Sequence, residues 1–129
     1  MAFIYTNPNP KGRIVGDCTV RALAVALDKS WDKIYDLQYE YGKQIKDMEN
    51  ATHINSEILK DNGFSRHIIP DTCPSCYTIW EFCEDHPEGI YVLGTGSHVV
   101  AVKDGNYYDT WDSGDEVPIM YWRKEDGLL

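Results

Sequence analysis

The chain has 129 residues, 43% of them hydrophobic, enough for one well-filled core and too few for two, so a single domain spanning residues 1–129 is expected. With 21 acidic residues against 12 basic ones the formal net charge is −9, which opposes binding to phosphate backbones and to anionic membranes, so neither nucleic acid nor membrane is an expected partner. The longest apolar run, Ala22 to Leu27, falls far short of a bilayer span, and Met1 to Asn7 lacks the basic stretch and apolar core of a signal peptide; a cytoplasmic location is expected.

Residues 1–13 carry Asn7-Pro8-Asn9-Pro10-Lys11-Gly12, whose prolines lack amide donors and push their predecessors toward extended backbone, so this is an arm or loop. Asp17 suits the N-cap of a helix from Cys18 to Leu27, in which Val20, Leu23, Ala24 and Leu27 follow the spacing of a buried face. Ser30 caps a second helix opening at Trp31, whose stripe of Trp31, Ile34, Leu37 and Tyr41 fades after Gln44. A third helix is expected at about Ile54–Asp61, closed by Asn62-Gly63, and then a short strand from Ser65 to Ile69 stopped by Pro70. Thr78 and Glu81 have capping-box spacing and open a fourth helix that ends by Pro87-Glu88-Gly89. Ile90–Leu93, His98–Lys103, Asn106–Trp111 and Val117–Arg123 read as strands, with Asp104-Gly105 as a tight hairpin turn. Helices first and an antiparallel meander second predict an α+β fold.

Within this order Cys18 stands out, because the start of a helix favours a thiolate through its unpaired amides and dipole. Such a nucleophile needs a base, for which His98 at the head of a strand is the candidate, and a third group to orient the imidazole. If Asp104 and Gly105 form the turn, Lys103 faces Asn106, Val100 faces Asp109 and His98 faces Trp111, which makes His98 and Asp109 diagonal neighbours on one sheet face. Asp109 is therefore the preferred third member. Asp112, on the other face unless a bulge intervenes, is the reserve. The glycines of Gly94-Thr95-Gly96 permit close approach of a substrate backbone or form a plain turn.

Cys at a helix start, His opening a strand and Asp on the next strand form an order that resembles the papain-like cysteine peptidases, above all their small bacterial and phage members. Asp109-Thr110-Trp111 is similar to that family's Asn-Ser-Trp, in which the tryptophan shields the histidine and its partner. The resemblance implies N-terminal helices, with the nucleophile at the start of the first, packed on a C-terminal antiparallel sheet. It also implies a peptidase or isopeptidase that cleaves a peptide or protein substrate through a Cys18-His98-Asp109 triad and a thioester acyl-enzyme, without a cofactor. Two departures accompany it: the longer signature around the papain cysteine is missing, and Gly12 stands where the family places its oxyanion glutamine, six residues before the nucleophile. The oxyanion would then fall to the Cys18 backbone amide with Asn7, Asn9 or another amide.

A second cluster, Cys73, Cys76, Cys83 and His86, offers four soft ligands at C-x2-C-x6-C-x2-H spacing, with a middle spacer shorter than in common zinc modules. It is read as a zinc site, as a redox pair at Cys73 and Cys76, or as ordinary loop and core cysteines. His53 and His67 have no partner in the sequence, and the many tyrosines fit a core and sheet surface better than a base-stacking platform. Two further readings stand beside the hydrolase: a catalytically silent papain-like domain that binds a protein partner, and a zinc-stabilised interaction module. Oligomeric state is open.

Overall fold

The computed structural model describes residues 2–125. Its elements run β1 (Phe3–Tyr5), α1 (Cys18–Leu27), α2 (Trp31–Ile45), α3 (Thr52–Asp61), β2 (Phe64–Ile68), α4 (Ile79–Asp85), β3 (Ile90–Gly94), β4 (Val99–Lys103), β5 (Asn106–Asp109) and β6 (Met120–Lys124). The architecture is α+β, with six strands in the order β1-β5-β4-β3-β6-β2. None of the helices among the described residues is long and apolar enough to cross a membrane.

The sheet corrects two expectations. It is mixed, because β1 lies parallel to β5 with Tyr5 opposite Asp109, and the simple meander is confined to β3, β4 and β5. The chain then crosses back, so that β6 pairs with the far side of β3 and β2 pairs with β6. The Pro-rich arm is thus preceded by a strand that covers the β5 edge, held in part by Phe3 against Tyr107, with ring centroids 5.6 Å apart.

The inner strands bury both faces, and their period-two alternation divides the core. Val92 and Ala101 join Leu23, Ile34, Ile58 and Trp122 beneath α1, α2 and α3. Tyr91, Leu93, Val100, Val102 and Tyr107 face the other way and meet Ile79, Phe82 and Cys83 of α4. Ala22, Leu23, Ala24 and Ala26 of α1 are all buried between sheet and α2, so this helix is packed nearly all round.

Two local signals fix the frame. Ser30 Oγ accepts from the Lys33 amide at 3.1 Å, and Thr78 and Glu81 complete their capping box. Asp104 and Gly105 both adopt left-handed backbone, φ 50° and 80°, as a two-residue hairpin turn requires, and this sets Lys103 opposite Asn106 and Ala101 opposite Tyr108.

Candidate active site

Cys18 is the first residue of α1, His98 directly precedes β4, and Asp109 closes β5. The loop before His98 turns at Gly96, whose φ of +100° suits a residue without a side chain, and Thr95 N donates to His98 O at 2.9 Å. The Asp104-Gly105 register brings His98 and Asp109 to one end of the hairpin, where His98 Nε2 lies 2.6 Å from Asp109 Oδ2. Cys18 and His98 line the same cavity, and each shifts the other's proton affinity. With Nε2 committed to Asp109, Nδ1 is the nitrogen left for sulfur.

The charges follow from these bonds. Burial alone would raise the Cys18 thiol, but the His98 hydrogen bond, the Val99 amide and the positive charges of His98 and Arg21 outweigh it and hold the thiol below its ordinary value. Burial would likewise lower His98, yet the hydrogen bonds to Asp109 and then Cys18 lift it to about 9. Asp109 is desolvated but kept below the usual carboxylate value by His98, Ser113 and the Thr110 amide. Each shift favours a thiolate beside an imidazolium.

Behind the histidine lies a buried network that sequence reasoning missed. Asp109 accepts from Ser113 Oγ at 2.8 Å and from Arg21 Nη2 at 3.2 Å. Arg21, only 6% exposed, also pairs with Asp17 and donates to Val15 O, and Asp17 in turn accepts from Trp31 Nε1 at 2.8 Å. Asp17 therefore makes no capping bond to α1, contrary to expectation, because a buried guanidinium is a stronger partner than a helix amide. The amides of the first turn, beside Cys18, have no side-chain cap. The available signal was Arg21 itself, a lone cation inside the apolar run Val20–Leu27, which must be paired if buried.

The remaining candidates lie elsewhere. Asp112, the reserve, accepts from Tyr107 Oη and from the Gly114 amide, and the carboxylate bonded to His98 is that of Asp109. Asn7 Nδ2 donates to Arg13 O, its Oδ1 accepts from the Asn9 amide, and Asn9 Oδ1 accepts from the Lys11 amide. These bonds knit the proline-rich arm together, and neither asparagine lines the cavity at Cys18, so both expectations for an oxyanion side chain are corrected. That cavity, of about 190 Å³, is lined by Cys18 and His98 together with Gly94, Leu59 and Trp122. Its wall includes Asn50, a polar side chain outside the set of candidate site residues. Trp111 lies against His98, centroids 4.9 Å apart, while remaining 45% exposed.

The zinc expectation fails on geometry. Cys73 and Cys76 are joined to each other as a disulfide, and His86 Nδ1 lies 2.8 Å from Phe82 O with its ring stacked on Phe82. Cys83 is buried against the sheet, and burial pushes its thiol up to about 12. No cluster of three or more metal-ligating side chains occurs among the described residues.

Comparison of the chain with protein-family models, with curated proteins and with solved structures found no match. The functional reading therefore rests on the chain's own residues and geometry.

Proposed function

We propose that this protein is a cysteine hydrolase of papain-like organisation, acting on amide or isopeptide bonds of a peptide or protein. The observation that carries the reading is that Cys18 and His98 line one cavity while His98 Nε2 lies 2.6 Å from the buried Asp109 carboxylate. Nucleophile, base and orienter in that relation are the parts of a covalent acyl-transfer site.

In this mechanism the Cys18 thiolate attacks the carbonyl carbon, forming a C–S bond as the C=O π electrons move to oxygen. The oxyanion is met by the Cys18 backbone amide at the uncapped start of α1. Collapse of the tetrahedral adduct breaks the C–N bond, and the departing amine takes the proton from His98. Neutral His98 then removes a proton from water, the resulting hydroxide equivalent attacks the thioester, and the thiolate leaves to restore the ion pair. Asp109 remains ionised throughout and holds the ring in place. No step calls for a cofactor.

Acyl-enzyme trapping tests the reading. A peptidyl thioester mixed with the protein should add its acyl group to Cys18, visible by intact mass before turnover. Cys18→Ala should abolish the adduct, and His98→Ala should slow its formation by roughly 10²–10⁴-fold. Acylation of Cys18 no faster than that of free cysteine would instead favour a catalytically silent domain that binds a protein partner.

A further inference from the structure

A second cavity, of about 310 Å³, adjoins the first and shares Gly16, Thr19 and Asn50 with it. Part of its wall is aromatic: Trp31 and Tyr35, one turn apart on α2, stack with centroids 4.8 Å apart and planes 15° from parallel. The Trp31 N–H is occupied by Asp17 and the Tyr35 hydroxyl donates to Tyr39, so what the two residues present to the cavity is the ring surface left outside their stacking with each other, with Tyr39 and with the core.

Gln38, fully buried, also lines this cavity. Its orientation is dictated by its neighbour. Asn55 Nδ2 donates to the Glu49 and Ala51 carbonyls, so Asn55 Oδ1 must receive Gln38 Nε2, at 2.8 Å. That leaves Gln38 Oε1 as a buried acceptor without a donor, the one such side-chain atom among the described residues. The ionised groups of the wall are both carboxylates, Asp17 and Glu49. Asp17 is balanced by Arg21, whereas Glu49 takes part in no ion pair among the described residues.

Ring faces, an unfilled acceptor and an uncompensated carboxylate, on a chain of net charge −9, suit a planar cation that carries several N–H donors. We infer that this cavity is a subsite for a basic side chain of the substrate, arginine ahead of lysine, with Glu49, Gln38 and the Trp31–Tyr35 pair setting the preference. The inference rests on the hydrolase reading for the substrate to which that side chain belongs. Asn50 and Thr19, common to the linings of both cavities, place the subsite next to the nucleophile's cavity.

Two measurements test it separately from that reading. In the first, arginine amide is titrated into the Cys18→Ala protein and followed by amide NMR. Saturable shifts centred on Trp31, Gln38 and Glu49 that weaken with salt and vanish in Glu49→Lys are expected; no shifts, or shifts unchanged in Glu49→Lys, overturn the subsite. In the second, matched peptidyl chloromethyl ketones with arginine or norleucine at either residue before the ketone alkylate Cys18 in the intact protein. The arginine reagents should react at least about tenfold faster, with the advantage lost in Glu49→Gln, as expected when a paired charge is removed. Equal rates overturn the specificity claim even if arginine amide binds. If neither reagent outpaces its reaction with free cysteine, the hydrolase reading fails, and the titration alone then upholds or overturns the cation site.

Discussion

Asp109 is where the charges of the site converge: four donors, from His98, Arg21, Ser113 and the Thr110 amide, meet one buried carboxylate. Asp109→Asn keeps the shape and removes the charge. His98 should then fall from about 9 toward its ordinary 6.5, read by NMR titration of the imidazole, and hydrolysis should drop by roughly 10²–10⁴-fold. Arg21→Met leaves Asp17 and Asp109 buried without their shared cation, at a cost of about 3–5 kcal/mol measurable by urea denaturation. Arg21→Lys should recover part of that stability, since one ammonium cannot span both carboxylates as the guanidinium fork does. Cys18, His98 and Asp109 were legible because residue chemistry and one hairpin register suffice to relate them. Arg21 and Ser113 were not singled out, because their importance lies in contacts across the fold: Arg21 meets Asp109 88 positions away. The same contact drew Asp17 away from the capping role its position suggested.

At the scale of elements, the β4–β5 hairpin converts two turn residues into the placement of His98 against Asp109. Gly105→Ala puts a Cβ at φ 80° and 3.4 Å from both Cys83 O and Pro87 Cα, so a loss of about 1–2 kcal/mol is expected, seen as a lower Tm. Asn there, which tolerates left-handed backbone, should cost less. Helices α1 to α4 and this hairpin were readable because their signals are local: apolar spacing, Ser30 and Thr78 as caps, Asp104-Gly105 as a turn. Strand β1 was not, since three residues carry no periodicity and their partner, β5, lies about a hundred positions away in the chain. The same holds for β6, whose return to the far edge of β3 no local feature announces.

For the whole molecule, α+β organisation followed from composition and element order, but the mixed sheet and the placement of α4 opposite the other helices depend on long-range pairing. The functional consequence of the assembled site is a pH window. The lowered Cys18 thiol makes the nucleophile available below the ordinary thiol range, and His98 stays protonated, able to supply the leaving amine, until about pH 9. The kcat/KM for an amide substrate should therefore rise through the Cys18 pKa and fall near pH 9, where His98 loses its proton; a profile that still climbs above pH 9 contradicts the assignment.

The most direct measurement is the rate of iodoacetamide alkylation from about pH 5 to 10, mapped by peptide mass analysis without reductant in wild type and His98→Ala. With Cys73 and Cys76 bonded and Cys83 buried, Cys18 should be the thiol that reacts, and its rate should hold up below the pH range in which an ordinary thiol loses reactivity. In His98→Ala the profile should move up to that of an ordinary thiol. A wild-type Cys18 that titrates like free cysteine, or a profile indifferent to His98→Ala, would contradict a thiolate–imidazolium pair and with it the hydrolase.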